Sequence, residues 1–163
     1  MNIIIREFNK NDIKQMICIW NDIVEEGIAF PQIEMLDIEN GLEFFSCQSF
    51  TGVAVDVDRD EILGLYILHP NNIGRCGHIS NASYAVKQNL RGLHIGERLV
   101  SHCLQKAKEL GFRILQFNAV VSTNYGALHL YEKLGFVKLG IISEGFLSKD
   151  GTYKDIIPHY HSL

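Results

Sequence analysis

Between a stretch that reads as a strand and one that reads as a helix lies Asn89-Leu90-Arg91-Gly92-Leu93-His94-Ile95-Gly96. A helix start leaves about four main-chain N–H groups without internal acceptors and carries the positive end of the dipole, so it favours anions. Gly92 and Gly96 let an anion come close to the main chain. Arg91 adds a planar array of donors that suits phosphate oxygens. The segment is a candidate cradle for a pyrophosphate; the alternative is a plain glycine-containing loop. Neither the Gly-Lys-Ser/Thr ending of a P-loop nor the Gly-x-Gly-x-x-Gly of a Rossmann turn is present, which argues against triphosphatase and dinucleotide sites.

The elements that would hold this turn follow from hydrophobic periodicity. Ile3 to Phe8 reads as a strand, and Asn9 or Asn11 caps a helix with apolar residues at Ile13, Met16, Ile17, Trp20, Ile23 and Val24. Gly27 ends it, and Ile38 to Phe45 suggests a shorter helix. Thr51–Val57 and Ile62–Leu68 form a predicted hairpin across an acidic turn, and Gly77–Val86 is the strand before the cradle. Ile95, Leu99, Val100, Cys103, Leu104 and Ala107 share one face of a helix. A strand over Ile114–Val121 and a helix carrying Ala127, Leu130, Tyr131 and Leu134 come next. Both helices end in Leu-Gly-Phe, a capping device in which glycine turns left-handed and the aromatic folds back. Val137–Ile142 and Thr152–Tyr160 read as closing strands around a turn at Lys149-Asp150-Gly151. Alternating strands and helices predict right-handed crossovers. The expected architecture is α/β: a mixed, mostly antiparallel twisted sheet of about seven strands flanked by about four helices.

At 163 residues the chain reads as a single domain over 1–163 that needs no disulfide or metal to fold. A formal charge of −4 argues against nucleic acid or an anionic membrane as the main partner. Cys18, Cys47, Cys76 and Cys103 stand apart, without zinc spacing, and Cys18 and Cys103 are expected to be buried on helix faces. Ile3-Ile4-Ile5 is interrupted at once by Arg6 and Glu7, so no signal peptide is read. No apolar run approaches the ~20 residues of a membrane span. These features lead us to expect a cytoplasmic protein.

Residues Gly77 to Phe136 resemble the core of the GNAT superfamily of acetyl-CoA-dependent N-acetyltransferases. Arg91, Gly92 and Gly96 stand in register with its phosphate-loop pattern, and Asn124-Tyr125-Gly126-Ala127 through Tyr131 to Leu134-Gly135-Phe136 matches its second signature. His94 departs from the pattern, which usually has glycine there. The resemblance implies acetyl-CoA as cosubstrate and no metal. It assigns Arg91, Gly92, Leu93, His94, Ile95 and Gly96 to the pyrophosphate, main-chain groups of Ala85, Val86 and Lys87 to the pantetheine, and Asn124 to the cofactor arm. Tyr131 would protonate the departing thiolate, a feasible exchange for a phenol with a reference pKa near 10. A core aromatic is the alternative for Tyr131.

Many relatives carry a glutamate base on the strand before the phosphate loop. Here neither Gly77–Val86 nor Ile114–Val121 has a carboxylate; each has an asparagine, Asn81 and Asn118. Period-two alternation puts Asn81 on a face with Ser83, and Asn118 with Gln116. Amides are not bases at neutral pH but orient an amine by hydrogen bonds. The proton would then leave through water or His78. Gly27-Ile28-Ala29-Phe30-Pro31 is similar to the corresponding loop of phosphinothricin-type acetyltransferases, with Phe30 as one wall of the acceptor site. The asparagine pair resembles a subgroup that acetylates cyclic analogues of proline. The expected reaction is direct acetyl transfer to the primary or secondary amine of a small amino-acid-like acceptor. A protein or peptide N-acetyltransferase and a non-catalytic acyl-CoA sensor are the alternatives, and the resemblance is compatible with a homodimer.

Overall fold

The computed structural model describes residues 1–90 and 92–163. Strand β1 (Ile3–Glu7) leads through a 3-10 turn at Lys10–Asp12 into α1 (Ile13–Glu26), followed by α2 (Ile38–Ser46). Strands β2 (Phe50–Asp56), β3 (Glu61–Pro70) and β4 (Ile79–Val86) precede α3 (Ile95–Glu109), β5 (Ile114–Val121) and α4 (Tyr125–Lys133). The chain closes with β6 (Val137–Lys138), β7 (Ile142–Leu147) and β8 (Tyr153–Ser162). One sheet runs β1-β2-β3-β4-β5-β8-β6, with β7 also on β8, and every pairing is antiparallel except β4 with β5.

Strand alternation makes two cores. Val53, Val55, Leu65 and Ile67 pack under α1 and α2, around Trp20 and Phe45. Ala54, Tyr66 and Leu68 point to the other face, against Leu99 and Cys103 of α3 and the apolar side of α4. This is the two-residue period of a strand buried on both faces. No helix is long and apolar enough to cross a membrane among the described residues.

Local chemistry sets the element ends. Asp37 and Asn40 form a reciprocal capping box at α2. Asp12, which closes the turn before α1, receives Arg6 bidentately at 2.7 and 3.0 Å and the Asn9 N–H at 2.8 Å. The two Leu-Gly-Phe endings close as expected: Phe112 N–H donates to Ala107 O at 3.0 Å and Phe136 N–H to Tyr131 O at 2.9 Å.

Two expectations are corrected. The stretch read as one strand over Val137–Ile142 breaks after Lys138 and restarts as β7, which brings the sheet of about seven expected strands to eight among the described residues. Gly140 at φ 140° makes the break, and β7 is bulged with Glu144 at φ 55°, so it lacks the alternation that marks a strand. Cys18 is exposed, unlike buried Cys103. It lies about 100° round the helix from Ile17, outside the stripe formed by Ile13, Met16, Ile17, Trp20 and Val24.

Candidate active site

The parallel seam between β4 and β5 is two residues long: Ile79 opposes Ile114 and Ser80 opposes Leu115. Beyond it the strands part. The Asn81 side chain spans the first step of the opening, its Nδ2 donating to Gln116 O at 2.8 Å. Along β4, Lys87 N–H bonds Leu63 O and Asn71 N–H bonds Ile79 O, so odd-numbered residues turn their main-chain groups to β3. Ala82, Tyr84 and Val86 therefore present theirs to the gap, an unpaired edge inside the sheet. Of Ala85, Val86 and Lys87, only Val86 faces the gap with its main chain. Lys87 is further engaged by an ion pair with Glu61.

A cavity of about 180 Å³ lies where the strands diverge, and Phe30, Asn81, Ser83, Asn118, Asn124 and Tyr131 all line it. Its two sides differ. Ala85 belongs to the core under α1 and α2, so Asn81 and Ser83, of the same parity, face that layer. Leu115 and Phe117 belong to the opposite core together with Tyr131, so Gln116 and Asn118 face the first layer. The amides thus approach the gap from one face of the sheet and the phenol from the other.

A bulge aims Asn118. Phe117 pairs with His159 and Val120 with Ile157, so Asn118 and Ala119 stand opposite Pro158 alone. Proline has no N–H for the ladder and is found in strands at edges or bulges. Bulges re-aim side chains in this way. Asn118 takes Gln116 Nε2 on its Oδ1 at 3.1 Å and donates its own Nδ2 to Asn71 Oδ1 at 2.6 Å.

The α1–α2 loop closes one wall. Phe30 is buried against Trp20, ring centroids 4.5 Å apart. Gly27 ends α1 at φ 64° and accepts the Lys149 N–H at 3.0 Å; a Cβ on Gly27 would stand 2.6 Å from Lys149 Cβ. Only glycine suits both the backbone angle and this approach.

The described residues that lead into α3 include left-handed backbones. Asn89, Gly92 and His94 are all left-handed, at φ 65°, 88° and 57°. The first-turn N–H groups of Ile95, Gly96 and Glu97 have no intrahelical acceptor. His94 pays strain of about 1–2 kcal/mol for this angle. Its exposed ring turns to Glu97, Nδ1 to Oε2 3.3 Å, while Lys133 holds both Glu97 oxygens at 2.8 Å. Lys133 first, then His94, draw the Glu97 carboxyl below its ordinary pKa despite some desolvation. Arg91, the cation expected here, lies outside the described residues.

Tyr131 packs on Phe117 and Phe136, and burial, reinforced by Cys103, pushes its phenol pKa well up. A phenol is protonated at neutral pH with or without this shift, and the shift itself holds the proton more tightly. Asn124 caps α4, its Oδ1 accepting from Ala127 N–H at 3.3 Å. His78 is exposed at the root of β4 and does not line the cavity. Sequence reasoning missed Tyr84, which lines the cavity and whose hydroxyl is buried. Its parity with Ala82 and Val86 was the available signal. Among the described residues no group of His, Cys, Asp or Glu gathers as metal ligands.

A mixed sheet parted at a parallel seam, followed by an anion-receptive helix start, can receive an extended arm that ends in phosphates. The family model described as the acetyltransferase (GNAT) family matches residues 18–136. N-acetyltransferase aca1 of Schizosaccharomyces pombe is 31% identical, over 85% of this chain and 74% of that protein. A GCN5-related N-acetyltransferase from Kribbella flavida has a TM-score of 0.90 at 30% identity, covering 99% of this chain and 98% of that one. A phosphinothricin acetyltransferase from Sinorhizobium meliloti, solved with AcCoA, has a TM-score of 0.90 at 20% identity, covering 100% and 89%. The chain belongs to the GNAT family and is an acetyl-CoA-dependent N-acetyltransferase.

Proposed function

We propose that this enzyme transfers the acetyl group directly to the primary or secondary amine of a small amino-acid-like acceptor. The observation that carries the reading is that Asn81, Ser83 and Asn118 meet Tyr131 across one small cavity, with Phe30 as its wall. The residues present fit the cosubstrate: the edge of Ala82, Tyr84 and Val86 can pair with an extended amide-bearing arm, and the start of α3 offers free N–H groups to a diphosphate. Gly92 to Gly96, with Arg91, would hold the phosphates, and Asn124 the arm.

Bound acetyl-CoA supplies a thioester carbonyl open to attack by a free amine. Asn81 and Asn118 orient the amine by hydrogen bonds, and positioning of this kind lowers the barrier through lost freedom already removed on binding. Its excess proton leaves through water, His78 being off the cavity. Tyr131 donates its phenolic proton to the leaving sulfur and is reprotonated from the water that took the proton of the amine. A cavity this small admits a compact acceptor.

Thiol release from acetyl-CoA tests this. The panel is phosphinothricin, a four-membered-ring proline analogue, glycinamide and a tripeptide with a free amino terminus. We expect turnover with the amino-acid-like members and a fall in kcat of about a hundredfold or more in Tyr131→Phe, the scale of lost acid catalysis. Turnover confined to the tripeptide, or an unchanged kcat in Tyr131→Phe, rejects the assignment.

A further inference from the structure

An exposed asparagine on a bulge has two amide orientations, related by a half-turn, that exchange its donor and acceptor ends. Asn118 is such a residue, yet its amide is held from both ends. Gln116 Nε2 donates to its Oδ1 at 3.1 Å, and its Nδ2 donates to Asn71 Oδ1 at 2.6 Å. A half-turn of Asn118 alone would oppose donor to donor and acceptor to acceptor, so the two contacts couple its orientation to the amides of Gln116 and Asn71.

The main chain of Asn71 is fixed. It directly follows β3, and its main-chain N–H donates to Ile79 O at 2.8 Å, at the root of the strand that carries Asn81. Asn81 in turn donates to the main chain of Gln116. The chain of contacts runs Asn81, Gln116, Asn118, Asn71 and returns through the main chain to β4. It brackets the mouth of the gap and links both asparagines on the acceptor face to one frame. Asn71 does not line the cavity, so whatever it does for an acceptor passes through Asn118.

We infer that Asn71 is a positioning residue for the acceptor: it locks the Asn118 amide so that one remaining N–H and one remaining lone pair are presented in a fixed sense. This rests on the reading of Asn118 as an acceptor ligand. One hydrogen bond of this kind biases an orientation by about fivefold to tenfold.

The test has two arms. In the first, exchange of the Asn118 side-chain amide protons is followed by NMR in the wild type, Asn71→Asp and Asn71→Leu. Asp keeps an oxygen for Asn118 Nδ2 and should match the wild type; Leu removes it and should exchange about fivefold to tenfold faster. Equal exchange in all three overturns the proposal. In the second arm, the acceptor is the panel amine with the highest turnover. Asn71→Leu should raise its KM about fivefold to tenfold, with the KM for acetyl-CoA unchanged and Asn71→Asp near wild type. In an Asn118→Ala background Asn71→Leu should add nothing. A full additional effect in that background, or failure of Asn71→Asp to rescue, shows a merely structural loop and overturns the proposal. Asn118→Ala with unchanged acceptor kinetics removes the underlying reading instead, while the exchange arm still reports whether Asn71 holds the amide.

Discussion

His159 is fully buried at the bulge of β5 and β8, where its ring meets Tyr131 edge-on at 5.8 Å between centroids. Its Nδ1 lies 2.6 Å from Ile157 O, and a carbonyl only accepts, so the proton sits on Nδ1 and buried Nε2 has no partner among the described residues. Burial first, and Lys138 as well, lower its pKa below the ordinary 6.5, against the upward pull of the Ile157 carbonyl. Burial and Lys106 lower His102 likewise. On unfolding each regains its ordinary affinity. Below pH ~6.5 the unfolded chain therefore binds more protons than the folded one, and stability drains as pH falls towards the folded values. Thermal melts at pH 7.5 and 5.5 should show a lower Tm in acid, and His159→Phe should narrow the difference. An equal acid loss in that variant would remove His159 from the account. Tyr131, Asn81 and Asn118 were legible in the sequence because each is a polar interruption of an apolar pattern or part of a motif. Asn71 and His159 were not: their meaning comes from neighbours across the sheet, which no local spacing encodes.

The loop that walls the cavity with Phe30 shows how far elements depend on partners remote in sequence. Gly27 was legible as a helix stop, but its second constraint, the turn between β7 and β8 pressed against it, was not. That turn was expected at Lys149-Asp150-Gly151; the strand leading into it was not, because bulged β7 buries only Phe146. Gly27→Ala should cost about 2 kcal/mol in denaturant unfolding, combining left-handed strain with the clash on Lys149. Lys149→Gly should recover the packing share and leave the backbone share. Full recovery would show that the angle at Gly27 costs nothing. The strands flanking the cavity were legible from periodicity, whereas the bulge that aims Asn118 was hidden because Pro158 acts from the opposite strand.

On the scale of the whole molecule, the unpaired edge of β4 makes a prediction about solvent. The amides of Ala82, Tyr84 and Val86 should exchange readily with deuterium in the free protein and slow when coenzyme A is added, while Ala85 and Lys87 stay protected in both. No slowing at the even positions would mean that the coenzyme arm does not pair there. The architecture was legible at this scale because strand and helix order restricts the possible connections; the length of the seam was not, since pairing register between β4 and β5 is not written in either strand alone.

That seam gives the molecule a mechanical character. Residues 3–86 and 114–163 make two leaves of a sheet bound along a spine of two rungs, with Ser80 Oγ donating to Ile114 O at 2.8 Å as a stitch. Ser80 and Leu115 are wholly enclosed and do not line the cavity. Even so, a change in volume at either position would press on the spine itself and alter how far the leaves part at the cavity beyond it.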